Sequence, residues 1–124
     1  MKAYDILIQG GGFAGMTLAL LAAQSGKTVV VVDNQSVPER TDQNRDVRTV
    51  AISAGSRAIL ERAGTWIPGR FAMCPITDIQ ILDGDGPEVF LEFDVTEVQG
   101  EAFGHIVDNV DLRRALIEDA AKQE

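Results

Sequence analysis

An α/β fold that opens on a strand–helix–strand unit is what this sequence predicts, and three features of residues 1–33 predict it. The apolar run Ile6-Leu7-Ile8 leads into Gly10-Gly11-Gly12-Phe13-Ala14-Gly15. A helical run follows, Met16-Thr17-Leu18-Ala19-Leu20-Leu21-Ala22-Ala23-Gln24, and Gly26-Lys27 breaks it. A second apolar strand, Thr28-Val29-Val30-Val31-Val32, then ends at Asp33. Three glycines in G-x-G-x-x-G spacing between two β-rich segments, with an acid roughly 20 residues past the turn, form the dinucleotide-binding fingerprint of a Rossmann-like unit.

Each part has its own physical task. Gly10 lets the chain leave the strand in a tight turn that penalises a Cβ. Gly12 lets the backbone approach a pyrophosphate with no side chain between, and Gly15 lets the helix pack closely on the strands. The first free N–H groups of the helix, with its dipole, face the phosphates. Asp33 can accept hydrogen bonds from ribose hydroxyls and would repel a 2′-phosphate, which favours FAD or NAD over NADP. A glycine-rich turn before an ordinary buried helix does not explain this spacing together with Asp33.

The 124 residues suffice for one compact domain, and a hydrophobic content of 45% supports a core. The net charge of −8, without a basic block, argues against a nucleic-acid footprint and gives no pull toward an anionic membrane. Cys74 is the only cysteine, so no internal disulfide forms and a reducing cytoplasm is the expected location. Residues 16–32 are interrupted by Gln24, Ser25, Gly26 and Lys27, and read as helix plus strand rather than a membrane span. Asp5 and the early glycine turn speak against a signal peptide.

Residues 34–46 are polar, with Pro38, Glu39, Arg40 and Asp42, and read as a long loop of the kind that carries function. Residues 47–52 form a short extended stretch. Ser53 can cap a helix from Ala54 to Ala63, with Ile59, Leu60 and Ala63 as its buried side and Gly64 as its stop. Trp66 and Ile67 are expected to pack back on that helix. Residues 76–82, a turn at Asp83-Gly84-Asp85-Gly86-Pro87 and residues 89–93 read as an antiparallel hairpin. The acidic turn does not complete a calcium-loop ligand series, so no metal site is expected there. After His105-Ile106-Val107, Asp108 or Asn109 caps a last helix over residues 110–122. Leu112, Ala115, Leu116 and Ala120 form its apolar stripe, with Arg113, Arg114 and Glu118 mostly off it. Two parallel strands with one crossover do not make a covered sheet. The sequence therefore reads as part of a longer protein, with exposed apolar surface and hence self-association or marginal stability.

Four stretches together resemble the N-terminal third of the aromatic-ring flavoprotein monooxygenases, specifically the ubiquinone-biosynthesis hydroxylase branch of 2-octaprenyl-phenol hydroxylase type. They are residues 5–33, residues 46–66 around Asp46-Val47-Arg48-Thr49-Val50-Ala51-Ile52-Ser53, the hairpin of residues 76–93, and Phe103-Gly104-His105-Ile106-Val107-Asp108-Asn109 with Leu112 and Leu116. The resemblance implies an incomplete Rossmann-like FAD-binding fold, with the hairpin belonging to a substrate-side sheet. Residues 1–70 would form the FAD-binding βαβ unit and following helix, 71–103 the hairpin segment, and 104–124 the helix returning to the FAD-binding domain.

It further implies FAD as cofactor, held by Gly10, Gly12 and Gly15 at the pyrophosphate and by Asp33 at the ribose. The family's usual residue at the Asp33 position is Glu, one methylene longer. Arg48 matches an arginine on the flavin side of the cofactor, where a guanidinium is a sensible charge-assisted donor. An ion pair with Asp46 or Glu61 is the plainer reading of Arg48. Asn109 matches a polar position near the cofactor and can equally serve as a helix cap. His105, the only histidine, reads as structural, and no catalytic residue is assigned. The implied chemistry is hydroxylation of a phenolic ring, on a lipid-tailed ubiquinone precursor, with O₂ and NAD(P)H as co-substrate. Such a substrate is compatible with a peripheral station at the inner membrane or in a multi-enzyme assembly. The 124 residues alone are expected to be inactive. The alternatives are another FAD or NAD oxidoreductase with the same opening, and a non-catalytic truncated dinucleotide-binding module.

Overall fold

Strand β1 (Ile6–Gln9), helix α1 (Phe13–Gln24) and strand β2 (Val29–Val32) form the predicted opening unit in the computed structural model. It describes residues 3–35, 46–84, 86, 88–97 and 100–123. β1 and β2 pair in parallel, Ile6 opposite Val29 and Gln9 opposite Val32. α1 starts one turn before the expected Met16. Gly12 is its extended N-cap, and the Gly12 carbonyl already accepts the Met16 N–H at 3.0 Å. The Ser25 and Gly26 N–H groups fold back on carbonyls of the last turn, and Gly26, at φ +78°, ends the helix.

Strand β3 (Thr49–Ser53) runs directly into helix α2 (Ala54–Arg62). The Ser53 hydroxyl accepts the Ser56 N–H, as the sequence predicts. Leu60, Ala63 and Trp66 are buried, but Ile59 and Ile67 are about half exposed, at 51% and 48%. Leu60 and Ala63 belong to the buried core cluster, whereas Ile59, one residue before Leu60, stands at its solvent edge.

The expected single strand over residues 76–82 is two strands, β4 (Met73–Ile76) and β5 (Asp78–Leu82), broken at Thr77. β4 carries Pro75, which masked it in the sequence; it is accommodated because β4 is an edge strand. Strand β7 (Gly104–Asp108) lies at the centre of an antiparallel sheet of order β3-β7-β4, with Thr49 opposite Asp108 and Ile76 opposite Gly104. β5 and β6 (Val89–Asp94) form the expected antiparallel hairpin, Asp78 opposite Asp94. The turn between them, and the loop expected over residues 34–46, lie in part outside the described residues.

Helix α3 (Asn109–Ala120) packs on α1. Leu112 and Leu116 are fully buried, with Leu20 of α1 and Val107 of β7 against them. Burial of a side chain of this size stabilises by about 1.5–3 kcal/mol, so this layer fixes how α3 lies on the opening unit. Arg70 ties the other end of α3 down: it pairs with Asp119 at 2.6 Å and donates to the Ala115 carbonyl. Trp66 meets Phe71 and His105 edge-on, each at 5.6 Å. Among the described residues no helix is long and apolar enough to cross a membrane.

Candidate functional site

The turn between β1 and α1 has the geometry the fingerprint requires. Gly10 lies at φ +104°, a conformation that disfavours any side chain. A Cβ at Gly15 would stand 2.0 Å from the Gly10 carbonyl oxygen, so helix and turn touch there backbone to backbone. A Cβ at Gly12 would meet nothing within 4 Å. The space in front of Gly12 is open, and it lies at the N-terminus of α1. Among the described residues no side chain caps that end, and no acid sits in its first turn. The first N–H groups are therefore left for a ligand, and the helix dipole favours an anionic one.

Asp33 closes the other side of this turn. Its Oδ2 accepts the Gly11 N–H, and its Oδ1 accepts the Gln35 N–H at 2.7 Å. These bonds from Gln35 and Gly11, with Arg113 nearby, hold the carboxyl below its ordinary range. Asp33 is thus an ionised acceptor at neutral pH, fixed at the end of β2, with lone pairs left for a diol. The arrangement suits a pyrophosphate at Gly12 and a ribose at Asp33, which are parts of a dinucleotide.

The remaining predicted residues meet at the start of α3. Arg48 makes a bidentate pair with Asp46, Nε to Oδ1 at 2.8 Å and Nη2 to Oδ2 at 2.7 Å, while its side chain stays 77% exposed. Glu61, the other candidate partner, pairs with Arg57. Arg48 thus adopts the plainer of its two readings. Asn109 donates through Nδ2 to Asp46 at 3.0 Å, and its N–H to the Arg48 carbonyl. The N-cap position itself belongs to Asp108, whose side chain makes no capping bond, so Asn109 is not the cap. The Arg48 and Asn109 bonds hold the Asp46 carboxyl far below its usual range.

Two residues that sequence reasoning passed over as site residues also lie here, Gln35 and Arg113, beside Asp46, which it named only as a partner for Arg48. Arg113, assigned to the polar side of α3, faces Asp33 from 3.8 Å with its side chain 16% exposed. Its one sequence signal is its place four residues after Asn109, which puts both on one face of α3. His105 sits within the central strand against Trp66, in keeping with a structural role. A groove of about 350 Å³ lined by Tyr4, Leu20, Ala23, Thr28, Val29 and Ala120 lies at the opposite end of α1 from Gly12, away from this site.

A family model described as an FAD binding domain matches residues 5–66, the segment from β1 through α2. The chain belongs to the FAD-binding domain family. Its sequence is 36% identical over 116 residues to the ubiquinone hydroxylase UbiL of Rhodospirillum rubrum, covering 94% of this chain and 27% of the relative. It is 34% identical over 114 residues to the 3-demethoxyubiquinol 3-hydroxylase of Escherichia coli, covering 90% of this chain and 29% of that enzyme. The chain thus spans less than a third of the length of these relatives. Among solved structures, PqsL of P. aeruginosa superposes with a TM-score of 0.72 at 23% identity, over 97% of this chain and 31% of that one. A flavoprotein/dehydrogenase from Cytophaga hutchinsonii gives 0.70 at 22% identity, over 98% and 29%. These likenesses show the Rossmann-like fold. FAD is the family's cofactor, and the open Gly12 cradle with the fixed Asp33 carboxylate fits its pyrophosphate and adenosine ribose.

Proposed function

We propose that this chain is the FAD-binding portion of a flavoprotein monooxygenase that hydroxylates a phenolic ring, on a polyprenylated ubiquinone precursor, with NAD(P)H and O₂. The observation that carries this reading is the Gly10–Gly15 turn facing Asp33 in a chain 36% identical to a ubiquinone hydroxylase. When bound, FAD supplies the redox and oxygen chemistry. The chain's own residues bind and orient it. Gly10 and Gly15 set the turn, Gly12 admits the pyrophosphate to the α1 N-terminus, and Asp33 accepts from the ribose diol. Arg48 leaves Asp46 to reach the flavin side, and Asn109 keeps Asp46 in place when it does. The lipid tail of such a substrate would bring the whole protein to the membrane surface peripherally.

A chimera tests the reading. Residues 1–124 replace the matching segment of the Escherichia coli 3-demethoxyubiquinol 3-hydroxylase. The expected result is a yellow protein that consumes NAD(P)H and hydroxylates that enzyme's substrate. A folded chimera that retains FAD yet shows no substrate-dependent NAD(P)H consumption would overturn the hydroxylase assignment.

A further inference from the structure

We propose that Arg113 is a positioning residue of the cofactor site: its guanidinium holds Asp33 and Gln35 in the arrangement that presents the Asp33 carboxylate to the adenosine ribose of FAD. The ribose half of this inference rests on the FAD reading above. Arg113 lies in the second turn of α3, between the fully buried Leu112 and Leu116, so packing fixes where its stem begins. Its Nη2 stands 3.8 Å from Asp33 Oδ2, an ion pair rather than a hydrogen bond, and its Nη1 donates to Gln35 Oε1 at 3.2 Å. Its Nε is buried without a hydrogen-bond partner among the described residues.

An arginine on a helix surface normally keeps its charged head in water. Here the head is drawn in, and one N–H is left unsatisfied, which costs stability. Asp33 and Gln35 are the two groups the structure shows it engaging. Asp33 lies beside the helix end where a pyrophosphate would sit, and a bare carboxylate there would repel it. Arg113 offsets that charge at Oδ2, the same oxygen that accepts the Gly11 N–H. Because α3 also carries Asn109, one rigid helix holds the acids on both flanks of the site, Asp33 through Arg113 and Asp46 through Asn109.

The test is a double-mutant cycle on FAD affinity, read by quenching of flavin fluorescence, with R113A, R113K, D33N and the R113A/D33N pair. R113A is expected to weaken FAD binding about tenfold, equivalent to about 1.4 kcal/mol. R113K should recover most of that loss, because it restores the charge without the planar fork. In the D33N background, R113A should change the affinity by less than about twofold, because coupled groups are not additive. Equal losses in both backgrounds would overturn the proposal. A second readout needs no FAD. Amide hydrogen exchange of Gly11, whose N–H is held by Asp33, should accelerate in R113A while amides of β7 do not change. An unchanged Gly11 would overturn the positioning role. A parent chain that binds no FAD would overturn the FAD reading instead, and the Gly11 response would still decide whether Arg113 positions Asp33.

Discussion

Gly12 and Gly15 stand three residues apart in one turn, and a methyl group would do different damage at each. At Gly15 it would strike the Gly10 carbonyl oxygen, a backbone atom that cannot step aside. Gly15→Ala is therefore expected to destabilise the fold by about 2–4 kcal/mol, in the range of severe overpacking, as read by the urea midpoint. At Gly12 the space is open. Gly12→Ala should cost the fold no more than about 1 kcal/mol, the price of a poorer N-cap, while weakening FAD binding, which a flavin titration would detect. Similar urea midpoints for the two variants would contradict this division of roles. Far from the turn, Asp119 governs an acid limb of stability. Burial works to raise its carboxyl, but bonds from Arg70, Thr65 and Lys122 outweigh that and hold it below its ordinary value. The unfolded chain binds the proton more readily, so this stabilisation is complete above about pH 4, the ordinary carboxylate range, and fades as the pH falls further. Asp119→Ala should cost roughly 1.5–3 kcal/mol near neutrality by removing the shortest of Arg70's charge-assisted bonds, with Glu118 and the Ala115 carbonyl keeping the guanidinium partnered. In urea melts the gap from the parent chain should close below pH 4, and a constant gap would count against the pair.

Elements differ in how well they are held. β7 is bonded on both sides and lies under α3, whereas the β5–β6 hairpin pairs with itself and barely touches the rest of the fold. Its residues Ile79, Ile81, Leu82, Phe90, Leu91 and Phe93 are all substantially exposed. Hydrogen exchange should therefore be fast across β5 and β6 and slow in β7 and α1, as expected where few buried contacts resist local opening. Comparable protection in the hairpin and in β7 would show that another surface covers it. The same contrast explains what could be read ahead of the structure. The opening unit was legible because period, glycine spacing and the terminal acid all agree locally. The hairpin was legible from its turn residues. β4 was not, because Pro75 argues against a strand and only its pairing with β7, across intervening chain, makes one. Ile59 was misplaced because a nine-residue helix buries so narrow a face that neighbouring apolar residues part company.

On the scale of the molecule, α3 joins two halves of a site that the sequence shows only separately. Gly10, Gly12, Gly15 and Asp33 announce themselves through one local motif. Arg48 and Asn109 meet because β3 and β7 pair in register, and Arg113 reaches Asp33 because Leu112 and Leu116 seat α3 on α1. Long-range packing of this kind leaves no mark in local spacing, which is why Arg113 and Gln35 were silent. The proposed FAD site lies at the α1 N-terminus beside Asp33. The most direct measurement is the visible absorption spectrum of the purified chain after addition of FAD and removal of the excess, run beside Gly12→Asp. The account predicts a retained, perturbed flavin spectrum near one FAD per chain, lost in the variant because a carboxylate would occupy the phosphate position. A folded chain that retains no flavin, or one that retains it equally with Asp at position 12, would contradict it.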